Sequence, residues 1–258
     1  MAPAVNLNAD MGEGFGAYDI GNDEALLSIV TSANVACGFH AGDATVMQGL
    51  VMRARKHGVS LGAHPGFNDL WGFGRRRIDM KPSDLEYMIA YQVGALQGIA
   101  HYAGIKVTHV KPHGALYNMA SENEDYATAI GRGIKTVDSN LIYVLLLGSV
   151  MEKAAEKVGL KYAREGFVDR TYEDDGNLTS RKIAGSVIHD PKVAAERVVR
   201  MIVDGEITAR SGKKIKRRID SLCIHGDEPT AAVVGKAARD ALVAAGVRVL
   251  PLPEMPLG

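Results

Sequence analysis

The sequence predicts an α/β protein, a single (β/α) barrel occupying residues 1–258. Three observations carry that expectation. Short apolar runs, each followed by a polar or glycine-rich turn and then a longer segment of helical period, alternate along the whole chain. The runs are mostly continuous, as strands covered on both faces should be, and this points to a parallel sheet. No Pro/Ser-rich linker, composition shift or short-period repeat divides the chain, so seven or eight βα units fall in one domain. A closed barrel is favoured over an open doubly wound sheet.

In chain order, the expected strands are 5–10, 34–37, 60–63, 108–111, 141–147, 161–167, 222–225 and a late 247–250. Asn22, Asp43, the capping box Ser83/Glu86 and Asp190 before Pro191 announce helices, because their side chains can accept from the orphan amides of a first turn. Gly58, Gly104, Gly159 and Gly246 end them, since glycine tolerates the left-handed C′ conformation. Arg210, Lys213, Lys214, Lys216, Arg217 and Arg218 flank Ser211-Gly212 and read as a solvated hairpin.

Composition excludes several classes. At 258 residues and 47% hydrophobic content the chain can fill a core without disulfides. Lys+Arg and Asp+Glu balance at 30 each, so the net positive field of a nucleic-acid binder is missing. Cys37 and Cys223 sit in apolar runs like small core residues, which fits a reducing compartment. No basic n-region with an apolar h-region opens the chain, and the apolar run 141–147 is far short of the ~18 residues a span needs. A cytoplasmic location is expected.

The chemistry gathers at strand ends. Asp10, His40, His64, His113, Asp169 and His225 each follow an apolar run, and in a barrel all strand C-termini face one rim around one pocket. Four of the eight histidines take that place, whereas His57, His101, His109 and His189 read as structural. The segment 10–17 formally fits the dinucleotide fingerprint, but no helix opens at once and no acidic residue ends a second strand. Its glycines instead let backbone approach a ligand while Asp10 and Glu13 project into the pocket. Backbone amides behind Asp43 offer an anion site. Arg75, Arg76 and Arg77 close a glycine-rich loop and read either as surface charge or as a clamp for a carboxylate or phosphoryl group. A P-loop is absent from the sequence.

Six blocks in order resemble the LamB/YcsF family: residues 8–16, 33–43, 62–66 with 72–76, 110–117, 165–172 with Gly176, Leu178 and Arg181, and 224–227. Ala9 departs from the family, in which cysteine is common at that position, and this apolar exchange leaves the chemistry intact. The resemblance implies a seven-stranded (β/α) barrel of the glycoside hydrolase/deacetylase type. It implies ATP-dependent hydrolysis of 5-oxo-L-proline to L-glutamate together with subunits B and C. Asp10, His40, His64, His113, Asp169 and His225 are then the catalytic candidates. Asn8, Glu13, Arg75, Arg76, Lys111, Arg170 and Asp227 are the substrate-binding candidates. ATP is used by the complex and, without a phosphate-binding motif here, mainly by the partner subunits. A rival reading is a deacetylase-like hydrolase in which Asp10, His40 and His64 hold a divalent metal. A third is a non-catalytic binding subunit.

Overall fold

The computed structural model describes residues 2–226 and 229–257. Its elements run β1 (Ala4–Met11), α1 (Asp23–Leu27), β2 (Ser32–Ala36), α2 (Ala44–His57), β3 (Ser60–His64), α3 (Pro82–Tyr102), β4 (Val107–Val110), α4 (Gly114–Glu122) and α5 (Glu124–Val137). They continue as β5 (Ile142–Leu146), α6 (Met151–Val158), β6 (Tyr162–Phe167), α7 (Pro191–Val203), β7 (Glu206–Thr208), β8 (Lys214–Lys216), β9 (Ser221–Ile224), α8 (Ala231–Ala244) and β10 (Arg248–Val249). Among the described residues, seven parallel strands close in the order β1-β2-β3-β4-β5-β6-β9, with β9 hydrogen-bonded back to β1. The expected late strand exists but is not a stave. It pairs only with Ala4 and Val5 at the start of β1.

The two faces of the staves have opposite chemistry. Val5, Leu7, Ala9 and Met11 of β1 are buried in the apolar layer shared with the helices. Asn6, Asn8 and Asp10 alternate with them and enter the lumen, where Asn6 bonds Ser32 at 2.7 Å and Asn8 bonds Ser221 at 2.7 Å. Barrel interiors of this type are usually filled by branched apolar side chains. Here a hydrogen-bonded polar column replaces them, so what reads in sequence as apolar runs is apolar only toward the helices.

Helix ends follow the caps in part. Asp43 accepts from the amides of Thr45 and Val46, and Asp190 from those of Lys192 and Val193. The capping box fails: α3 begins at Pro82, and Glu86 instead meets Arg132 at 3.2 Å. Proline at the first helical position fixes the start one residue before Ser83. Asn22 precedes α1 without a side-chain cap, and Asn123 caps α5 without having been expected. The basic cluster is the hairpin of β7 and β8, anchored by buried Ile207 opposite Ile215. Both cysteines are free and buried.

Candidate active site

Register places the ionisable groups at one height. Asp10 pairs with Asn34 across β1 and β2, and Ala36 pairs with His64 across β2 and β3. The Lys111 amide bonds Ala63 and the His113 amide bonds Pro65, both at 2.9 Å, so the loop after β4 runs beside the end of β3. Ala9 opposite Ile224, and Phe167 opposite Cys223, bring the ends of β6 and β9 to the same mouth. Gly74 has φ 62°, and a Cβ there would stand 2.8 Å from both the His40 and the His113 side chains. Glycine is what lets that loop lie over the imidazoles.

At the top of the lumen lies a buried ammonium between carboxylates. Lys111 Nζ is 2.9 Å from Asp10 Oδ1, 3.0 Å from Glu165 Oε1 and 3.1 Å from Cys223 Sγ. Asn34 donates to Asp10 at 2.9 Å and to Asn8 at 2.7 Å, and Asn8 donates to Glu165 at 3.0 Å. The Tyr117 hydroxyl donates to the other Glu165 oxygen at 3.0 Å. Burial alone would raise the Asp10 carboxyl, but the charges of His64 and Lys111 outweigh it and hold it well below the usual range. Burial would lower Lys111, and Asp10 with its neighbours instead holds it well above. Asp10 is therefore ionised and Lys111 charged at neutral pH.

Beside this network three imidazoles meet Glu13. His40 stacks on His113 with ring centroids 3.6 Å apart and planes within 6°. His40 Nε2 and His113 Nδ1 stand 3.2 and 3.3 Å from Glu13 Oε1, and His113 Nδ1 stands 3.0 Å from His64 Nε2. His64 Nε2 is also 3.4 Å from Asp10 Oδ2. Burial first, then neighbouring imidazoles, push both His40 and His113 well below the ordinary histidine range, so they are neutral. One donor atom from each of Glu13, His40, His64 and His113 lies within 4.8 Å of all the others, and all four residues are buried. A nitrogen-rich set of this spacing fits a divalent cation. Glu13 and His113 thus join His40 and His64, while Asp10 lies alongside, held by Lys111.

Across the mouth, His225 Nδ1 donates to both oxygens of Asp169 at 2.9 Å, and its ring stacks on Phe167 at 5.2 Å. Lys111 Nζ lies 5.9 Å from the centre of that same Phe167 ring. Burial opposes ionisation of Asp169, but His225 overcomes it and lowers its pKa. A carboxylate that fixes Nδ1–H leaves Nε2 as the nitrogen that exchanges a proton.

The arginines divide. Arg76 is taken up by Asp69 and Arg77 by Glu122, ion pairs of the loop surface. Arg75 lies over the Phe73 ring at 5.1 Å, and the Phe73 carbonyl accepts from His113. Arg170 is buried and donates to the Thr179 carbonyl. Asp227 falls outside the described residues. The residues not expected at the site are Asn34, Glu165, Tyr117 and Cys223. Asn34 lies inside β2 and Glu165 beside Arg164 inside β6, polar groups within buried strands, which was their signal. His109, expected as structural, is buried against Asn34 at 3.0 Å. A hollow between α1 and α8 is lined by Ala25, Ile29, Val233 and the Lys236–Asp240 pair, a mostly apolar set unlike the one at the mouth.

Fold and site define a parallel barrel whose ionisable pocket lies at the strand C-termini. The chain belongs to the LamB/YcsF family, whose profile matches residues 5–256. It is 53% identical over 248 residues to the A-subunit of 5-oxoprolinase from Rhodopseudomonas palustris, covering 96% of this chain and 97% of that one. The same name belongs to a Natranaerobius thermophilus protein at 48% identity over 245 residues, covering 95% of each chain. The crystal structure of the lactam utilization protein of Thermus thermophilus superposes with a TM-score of 0.92 at 44% identity, covering 96% of this chain and 99% of that one.

Proposed function

We propose that this chain is the ring-opening subunit of an ATP-dependent 5-oxoprolinase and works with subunits B and C. The observation that carries the reading is the ionised Asp10 carboxylate, held by Lys111 and His64 at the barrel mouth, in a chain about half identical to proteins named for that activity. An unstrained lactam is a poor electrophile. Transfer of the ATP γ-phosphoryl group to its carbonyl oxygen, on the partner subunits, makes ADP and an activated ring. Water then adds to that carbon, the ring C–N bond breaks as the nitrogen takes up a proton, and the acyl phosphate so formed is hydrolysed by a second water to glutamate and phosphate.

Each step has a group here. Asp10 orients the attacking water and accepts its proton. Lys111 keeps Asp10 charged and fixes its direction, so its own charge acts through Asp10. The Asp169–His225 pair delivers the proton to the departing nitrogen. Arg75 at the mouth is the cation for the substrate carboxylate. If a divalent cation binds the Glu13/His set, it supplies Lewis-acid polarisation of a carbonyl or phosphoryl oxygen. Around the mouth, Trp71 is 98% and Tyr18 79% exposed, an aromatic rim that supports a covering partner.

A second reading, a metal-dependent hydrolase acting on a small amide without ATP, is favoured by the same Glu13/His set. Reconstitution separates them. The chain alone is expected neither to hydrolyse ATP nor to form glutamate, and addition of subunits B and C is expected to give ATP-dependent glutamate. Glutamate release by the chain without ATP would select the second reading.

A further inference from the structure

We propose that Glu13, His64 and His113 form a binding site for one divalent cation of the zinc class, with His40 positioning Glu13. The site shares its location with the proposed active site, and its geometry is independent of the reaction.

Two backbone carbonyls decide the tautomers. The Lys111 carbonyl is 2.7 Å from His64 Nδ1, so that nitrogen carries hydrogen and donates. The Phe73 carbonyl is 2.8 Å from His113 Nε2, so that nitrogen donates as well. When both rings are neutral, the remaining nitrogens, His64 Nε2 and His113 Nδ1, present lone pairs to each other at 3.0 Å. Glu13 Oε1, a third acceptor, is 3.3 Å from His113 Nδ1. Acceptors held face to face in a buried pocket repel unless a proton or a metal cation lies between them, and three such acceptors converging on one point favour the metal.

The spacing fits such a cation. Metal–nitrogen bonds of about 2.0–2.1 Å at a tetrahedral centre put neighbouring ligand atoms roughly 3.3–3.4 Å apart. The observed separations, 3.0 and 3.3 Å, need only small outward shifts. Imidazoles whose other N–H is tied to a backbone carbonyl are the usual outer support of metal ligands. His40 lacks that tie: its Nδ1 is buried without a partner, and its Nε2 donates to Glu13 Oε1 at 3.2 Å. It therefore aims Glu13. Asp10 stays beside the set because Lys111 and Asn34 hold its Oδ1. Two imidazoles and one carboxylate select a zinc-class ion over magnesium or calcium, which take oxygen ligands. Three protein ligands leave a position open toward Asp10.

The test uses the full chain, stripped with chelator, exposed to Zn²⁺ and desalted, with metal measured by elemental analysis. About one zinc per chain is expected, together with a melting temperature that rises with zinc concentration. Co²⁺ should give the intense visible absorption of a four-coordinate centre. Glu13→Gln and His113→Gln should each lose uptake, and Asp10→Asn should keep it. If those variants do not fold, the cobalt spectrum of the unaltered chain still decides. No retained zinc and only the weak spectrum of aqueous cobalt would overturn the proposal. So would a metal-free chain in which nitrogen NMR shows a proton shared by His64 and His113. Stoichiometric uptake supports the site whether or not the reconstituted complex opens 5-oxoproline, so the two proposals fail separately.

Discussion

The two faces of the same strands teach different lessons about how this molecule is built. Toward the helices, β1 presents Val5, Leu7, Ala9 and Met11, each almost wholly buried, and the gain is non-directional removal of apolar area from water. Toward the lumen it presents Asn6, Asn8 and Asp10, where every group is committed to named partners and net gains per hydrogen bond are small. The outer face should therefore hold the fold and the inner face should hold the chemistry. A substitution on the outer face should leave the chemistry nearly untouched, whereas one on the inner face disturbs the chemistry and, where it strands a buried charge or overpacks the lumen, the fold as well.

The largest expected effect is at Lys111. Lys111→Met removes the counter-ion of two carboxylates, the half-buried Asp10 and the buried Glu165. Turnover of the reconstituted complex should fall by about three orders of magnitude or more, and stability by ~3–5 kcal/mol, since stranded buried charges are costly. Steady-state glutamate assays and urea melts would show it. Leu7→Ala on the outer face should cost a similar ~2–5 kcal/mol through the cavity it leaves. Its turnover per folded molecule should stay within a factor of about two, because the site is on the other face.

Smaller effects sharpen the contrast. A Cβ at Gly62 would stand 2.1 Å from His109 Nε2 inside the lumen, so Gly62→Ala should destabilise by ~1–3 kcal/mol through overpacking. Gly94, on α3 with open space around it, should gain up to ~1 kcal/mol on replacement by alanine. Thermal melts of the two variants should move in opposite directions.

A further effect is a pH slope. Burial holds the His109 imidazole down to about 3 in the folded chain. In the unfolded chain it titrates near ~6.5. Its contribution to stability is complete above the unfolded value. Between roughly 6.5 and 3 the unfolded chain takes up a proton that the folded chain refuses, so stability falls with pH across that window. Urea midpoints should decline on acidification, and more shallowly in His109→Gln.

The barrel was legible because each stave is apolar on one face and α2, α6 and α7 are punctuated by Asp43, Gly58, Gly159 and Asp190, signals that act locally. The polar column was less legible. Asn34 and Glu165 interrupt strands in a way that looks like noise until register sets them beside Asp10 and Lys111. Strand-end position singled out His40, His64, His113 and His225, which lie together at the mouth, but it could not distinguish their hydrogen-bond settings. That distinction depends on the acceptor facing the second ring nitrogen, a backbone carbonyl for His64 and His113 and the Asp169 carboxylate for His225. The Ser83/Glu86 box misled because a proline one residue earlier had already begun the helix.

The most direct test replaces Asp10 by asparagine in the complex reconstituted with subunits B and C and compares it with Leu7→Ala at equal folded fraction. Charge is lost in Asp10→Asn while size and most hydrogen bonding persist. Asp10→Asn is expected to lower ATP-dependent glutamate formation about 10²–10⁴-fold per folded molecule, whereas Leu7→Ala leaves it near normal. Near-normal turnover by Asp10→Asn would contradict the assignment of Asp10 to the attacking water.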